Sequence, residues 1–142
     1  MIAIDTHILA RFYVDDPSDR ESASQRPVAR RILVESPSLY APITVILELE
    51  WVLRAFYRFE AVDFIRVVRH LLGLSNVVVG GREHVETALD WHHMGLDFAD
   101  ALHLAASAQC KEFLSFDGSA QVIELQAVLA ALRATPSEVG VR

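Results

Sequence analysis

The chain alternates between short apolar runs and longer amphipathic stretches, and that alternation is its first signal. Met1-Ile2-Ala3-Ile4-Asp5 is apolar and ends on an acid, as in a buried strand followed at once by a turn. Ile8–Val14 reads as a short helical stretch, and Asp15-Asp16-Pro17-Ser18-Asp19 as a polar break. A helix is expected from about Arg20 to Glu35, kinked or split by Pro27. Leu39–Pro42 suits a short strand, and Thr44 an N-cap for a helix running to about Tyr57. A further helix covers Ala61–Leu72, and Asn76–Val79 is a β-branched strand. Arg82–Met94 is helical with a C-cap at Gly95, and Asp97 opens a helix through Gln109. Glu112–Phe116 is a strand ending on Asp117-Gly118, the stretch from Ser119 on is helical or mixed, and Pro136–Arg142 is a loose tail.

Strands alternating with helices predict an α/β domain, with a mostly parallel sheet covered on both faces. Ligands of such sheets bind outside the carboxyl ends of the strands. Two of the four expected strands end on an aspartate, at Asp5 and Asp117. With no repeat and no linker, residues 1–142 are expected to form a single domain.

Composition narrows the function. The chain has 142 residues, 52% of them hydrophobic, enough for a sizeable core and against a disordered class. No apolar run approaches the roughly 20 residues that span a bilayer, and the first residues lack the basic start of a secretory leader. The lone Cys110 excludes an internal disulfide and a cysteine zinc site, so a cytosolic protein is expected, with Cys110 structural. Thirteen basic residues against nineteen acidic ones give a charge of −6, which argues against a broad basic face for nucleic acid. An enzyme that touches a phosphodiester through a divalent metal stays open, because clustered carboxylates then serve as ligands.

Several carboxylates stand out. Asp5 reads either as a cap of the helix after it or as a functional acid, and Asp117 either as a turn residue or as a functional acid. On a helical wheel of Thr44–Arg58, Val45, Ile46, Leu49, Val52, Leu53 and Phe56 form an apolar arc. Glu50, Arg54 and Arg58 fall on its opposite border as a solvated ion-pair ladder. Glu48 lies at the other edge, beside Trp51, Val52 and Ala55, where a carboxylate must find a cation or accept a raised pKa. Asp97 and Asp100 share one face three residues apart; Asp97 is well explained as an N-cap, and Asp100 less so within a buried, Ala-rich helix. His92 and His93 face different ways, His103 reads as a core-edge residue, Gly80-Gly81 has no phosphate-loop lysine after it, and no serine sits in a nucleophile elbow.

Asp5, Glu48, Asp100 and Asp117 would meet at one edge of the sheet. Such hard oxygen ligands describe a magnesium or manganese pocket suited to phosphodiester hydrolysis.

At these residues the sequence resembles the PIN-domain ribonucleases, in particular the VapC-type toxins of toxin–antitoxin modules. The carriers are Ile4-Asp5-Thr6-His7-Ile8-Leu9, Glu48-Leu49-Glu50-Trp51-Val52-Leu53-Arg54, Gly95-Leu96-Asp97-Phe98-Ala99-Asp100-Ala101-Leu102-His103 and Leu114-Ser115-Phe116-Asp117. The resemblance places the family's acidic quartet on Asp5, Glu48, Asp100 and Asp117. It also makes Asp97, Ser115 and Thr6 supporting positions, and puts His7 where the family usually has Asn. It implies a three-layer α/β/α fold, Mg2+ or Mn2+ dependence, RNA cleavage, a homodimer and a small VapB-like antitoxin whose tail covers the acidic groove. Arg58, Arg66 and Arg69 are then candidate RNA contacts. The rival readings are an inactive PIN-like binding module, a DNA-directed nuclease of the same fold, and a metal phosphatase. Asp5-Thr6-His7 lacks the second aspartate that a haloacid-dehalogenase-type phosphatase needs.

Overall fold

Three short strands pair side by side in chain order: β1 (Ile2–Ala3), β2 (Leu39–Ala41) and β3 (Val77–Val79). All pairs are parallel, with Ile2 opposite Leu39 and Leu39 opposite Val77. The structure is a computed structural model that describes residues 1–116, 120–124 and 130–131, and its chain divides into two compact units, Met1–Arg82 and Glu83–Arg142.

In the first unit, α1 (Thr6–Tyr13) and α2 (Arg20–Glu35) connect β1 to β2. The connection from β2 to β3 is made by α3 (Ile43–Tyr57) and α4 (Ala61–Leu72). Both crossovers step the same way, so the right-handed rule sets all four helices on one face of the sheet. Leu39 and Ala41, with Val77 and Val79, are buried at a period of two, and Val78 between them is exposed. Leu9, Ile46, Leu49, Leu53, Phe64, Val68 and Leu71 complete this core. Asn76 ties it together: its side-chain amide donates to the Leu33 carbonyl at 2.9 Å and the Ser36 carbonyl at 3.0 Å, joining the end of α2 to the start of β3. Gly80 follows β3 and donates its N–H to Ala41 at 2.8 Å; a Cβ there would collide with the Tyr40 hydroxyl.

Four local expectations need correction. β1 is an edge strand whose Ile2 and Ala3 are exposed, and only Ile4 of that run is buried. α1 begins at Thr6, because Asp5 caps it. Pro27 neither splits nor ends α2; it faces solvent while Ser22, Ala29 and Leu33 are buried on the other side, and that packing offsets the roughly 3 kcal/mol an interior proline costs. Finally, α3 starts directly after Pro42, so Thr44 lies inside it.

The second unit holds α5 (Arg82–His93), α6 (Phe98–Ala106) and a hairpin of β4 (Glu112–Phe116) and β5 (Ala120–Glu124). Gly95 joins the helices with φ +113°, a backbone position that suits glycine, as expected of a C-cap. α6 ends at Ala106, short of Gln109. The hairpin is antiparallel, with Phe113 opposite Ile123; β4 is the strand expected, and β5 stands where helical or mixed structure was expected. Cys110 is exposed, so it has no core role, and His103 is likewise exposed, stacked on Phe113. Asp117 and the expected tail Pro136–Arg142 lie outside the described residues. Among the described residues, no helix is long and apolar enough to cross a membrane.

Candidate active site

The N–H of Ile4 donates to the Tyr40 carbonyl at 2.9 Å, so Asp5 stands where β1 stops and the chain turns into α1. Its backbone is extended, and its Oδ1 accepts the Thr6 N–H at 2.7 Å. The capping reading of Asp5 therefore holds, and it occupies one carboxylate oxygen. Thr6 is fully buried, and its hydroxyl donates to Oε1 of Glu48 on α3. One threonine thus bridges two acids that are remote in sequence, while Asp5 and Glu48 both stay exposed. A buried hydroxyl left unpaired costs about 1–3 kcal/mol, which gives Glu48 a fixed place.

The two glutamates of α3 exchange the roles expected of them. Glu50 is only 6% exposed and pairs with Arg54 (Nε–Oε2 2.9 Å), whereas Glu48 is exposed alongside Trp51 and Ala55. The physical reason lies in the helix itself. Leu49 is at the centre of the buried arc, and Glu48 and Glu50 sit about 100° to either side of it, so periodicity ranks them equally. Arg54, one turn beyond Glu50, supplies the cation that lets that acid go inside. Arg58 is no part of this pair; it ends α3 in the left-handed region at φ +56°.

A second acidic pair belongs to α6. Asp97 is its N-cap, and its Oδ1 accepts the Asp100 N–H at 3.1 Å. Both residues are exposed, so Asp100 is not on the buried face, which Ala101, Leu102, Leu104 and Ala105 occupy. Ser115 is half-buried on β4. His7 is exposed and lines a cleft of about 390 Å3 with Arg11, Asp16, Asp19, Val52, Phe56 and Tyr57. The Ser22 hydroxyl bond, at 2.6 Å, is the main reason the Asp19 carboxyl is held below the usual range.

What the structure brings together is Asp5, Thr6 and Glu48 in one unit, and Asp97 and Asp100 in the other. Among the described residues, no group of three or more His, Cys, Asp or Glu side chains gathers in a metal-holding arrangement. Asp5 and Glu48 still fit a hard divalent ion in kind. Their second carboxylate oxygens accept no hydrogen bond among the described residues, and magnesium is commonly held by one or two carboxylates with retained waters and substrate phosphate.

The sequence model of the PIN domain matches residues 2–124. The chain belongs to the PIN-domain family. The match runs from β1 through β5 and so includes Asp5, Glu48, Asp97, Asp100, Ser115 and Asp117. Membership bears out the expected three-layer α/β/α class with a parallel sheet. Among solved structures, this PIN domain is similar to the crystal structure of Mycobacterium tuberculosis VapC20, titled a sarcin-ricin loop cleaving toxin. Identity is 19%, over 77% of this chain and 82% of that one, with a TM-score of 0.41. No curated protein matches the chain.

Proposed function

We propose that this PIN domain is a metal-dependent endoribonuclease of the VapC toxin type, hydrolysing RNA phosphodiester bonds and silenced by a small VapB-like antitoxin. The observation that carries the reading is the Asp5–Thr6–Glu48 bridge within a PIN-family chain. Capping alone explains Asp5, but it does not explain why a buried hydroxyl is spent on an exposed glutamate of another helix.

In this reading Asp5 and Glu48 would hold the ion, and Asp100 and Asp117 are the other two acids of the family's quartet. A magnesium or manganese ion held there would supply a water of lowered pKa and charge neutralisation at the scissile phosphate. The chain's own part is positional. Thr6 fixes which Glu48 oxygen faces inward, and the cap bond fixes the Asp5 carboxylate against the start of α1. Asp97 holds the first turn of α6 and with it Asp100. His7 follows Thr6 as a polar neighbour of the site, and Ser115 is the polar supporting position that the family resemblance adds. The acidic groove would accept a basic antitoxin tail in the absence of substrate, and the working form is a cytosolic homodimer.

The test is cleavage of total RNA by the purified protein with Mn2+, with Mg2+ and with EDTA, the new ends being sequenced. Wild type should cut with either metal and not with EDTA, and Asp5→Asn should lose more than about a thousandfold of that rate. Asp5→Asn keeps an oxygen for the Thr6 N–H, so it should remain folded. Undiminished cutting by the folded variant would remove Asp5 from the mechanism. Equal cutting of single-stranded DNA would move the substrate away from RNA.

A further inference from the structure

A larger cavity, of about 830 Å3, lies in the same unit between α1, α2, α4 and the end of α3. Its walls carry four guanidinium groups, from Arg26 and Arg30 on α2, Arg58 at the end of α3, and Arg66 on α4. Among the described residues Asp63 is the one acid on its lining, and that carboxylate is already turned onto the Glu60 N–H at 2.9 Å. Arg30, Arg58 and Arg66 have no ion pair among the described residues. Arg26 reaches Asp15 at 3.5 Å through Nη1, while its buried Nε has no partner among the described residues. In a chain of charge −6, so much unpaired positive charge in one concavity focuses an attractive potential for anions.

The cavity is also aromatic, with Tyr57 and Phe59 on its wall, and it adjoins the cleft beside His7. Tyr57 lines both this cavity and the cleft beside His7, and its hydroxyl accepts a hydrogen bond from Arg11 at 3.1 Å. α1 runs about 10 Å from Thr6 at the acids to Tyr13 at the cavity wall. Arg58 adds a third sign. The left-handed end of a helix ordinarily takes glycine or asparagine, yet here an arginine is held at φ +56° with its side chain on the cavity.

We propose that this arginine cavity holds backbone phosphates and a stacked base of single-stranded RNA on one side of the scissile bond; the inference rests on the nuclease reading above. Guanidinium forks match phosphate oxygens, and aromatic walls accept a base regardless of sequence. An acidic peptide would satisfy the charge but would use neither the aromatic walls nor the path along α1.

The experiment measures binding of a fluorescein-labelled single-stranded oligoribonucleotide of about twelve nucleotides by anisotropy, in EDTA, so that cleavage does not enter. The double variant Arg30→Gln/Arg66→Gln should bind about tenfold more weakly, with its salt slope reduced by about 1.4 for two lost phosphate contacts. Both side chains are exposed, so the fold is unaffected. The control pair Arg20→Gln/Arg31→Gln removes the same charge from exposed positions off the cavity and should stay within about twofold of wild type. Arg58→Gly should lose affinity while melting no lower than wild type, because glycine relieves the left-handed backbone. Equal losses from both double variants would overturn the proposal, since net charge alone would then explain them. Stronger competition by a glutamate-rich peptide than by unlabelled RNA would overturn it in favour of a protein partner. Metal-dependent cleavage is scored on the same variants. Cavity-dependent binding without any cleavage sinks the nuclease reading alone, and normal cleavage with normal binding by Arg30→Gln/Arg66→Gln sinks the cavity assignment alone.

Discussion

Two acidic pairs of this chain are built in opposite ways. Asp97 and Asp100 are three residues apart and joined by a cap bond within one helix turn. Asp5 and Glu48 come from different helices and are joined through a buried threonine between them. The first arrangement is what a helix start needs for its own sake, because an N-terminal carboxylate satisfies an orphan N–H and suits the dipole. In the second, Asp5 also caps a helix, but the bond from Thr6 to Glu48 serves no local structure. A long-range bond from a core hydroxyl to an exposed acid fixes a carboxylate that would otherwise swing free, and preorganised groups of that kind are what catalytic sites require.

The first test of that difference is the threonine. Thr6→Val keeps the shape but removes the donor, and cleavage should fall about 10–100-fold, as for other groups that orient a metal ligand. Thr6→Ser restores the hydroxyl and should recover most of the rate, measured as initial rates on a labelled RNA with Mn2+. If Thr6→Ser is as inactive as Thr6→Val while both melt like wild type, the bridge is not what orients Glu48, and the two pairs are less different than they look.

The next effect contrasts Glu50 with Glu48. Glu50→Gln removes the charge of the buried acid opposite the half-exposed Arg54 and should cost about 1 kcal/mol, read as a melting point a few degrees lower with the cleavage rate retained below it. Glu48→Gln should do the reverse, leaving the melting point nearly unchanged and removing activity. A matching loss of activity in both would show that α3 contributes two functional acids.

The smallest effect sharpens the local pair. Asp97→Ala should cost about 1 kcal/mol of stability by loss of the cap, and Asp97→Asn almost none. If Asp97 only caps, the Asn variant cleaves RNA at the wild-type rate. A fall beyond about tenfold in Asp97→Asn, without a change in melting, would give its charge a part in the chemistry.

Much of the architecture was readable in advance, because a period of 3.6 or an apolar run bounded by turn residues is a local property. The helices ending near Tyr57 and Leu72, the cap at Asp97 and the glycine at 95 all come from neighbours within a turn or two. The antiparallel hairpin was misread because β5 gains its identity from pairing with β4. Pro27 was misread because propensity counts the missing hydrogen bond and not the packing of Ala29 and Leu33 behind it. The spacing of four puts Arg26 and Arg30 on one face of α2, but nothing local says that Arg58 and Arg66 meet them around one cavity.

The alternation of strand and helix, the place of Asp5 after the first strand and the order of the acids along the chain follow from local pattern alone. Those depend on backbone preference, side-chain period and residue type, all of which act over a few residues. Tertiary packing alone settles which glutamate of α3 is buried and which is held by Thr6. Two positions flanking Leu49 are equivalent on a helical wheel, and what separates them is a cation one turn beyond Glu50 and a buried hydroxyl from α1 facing Glu48.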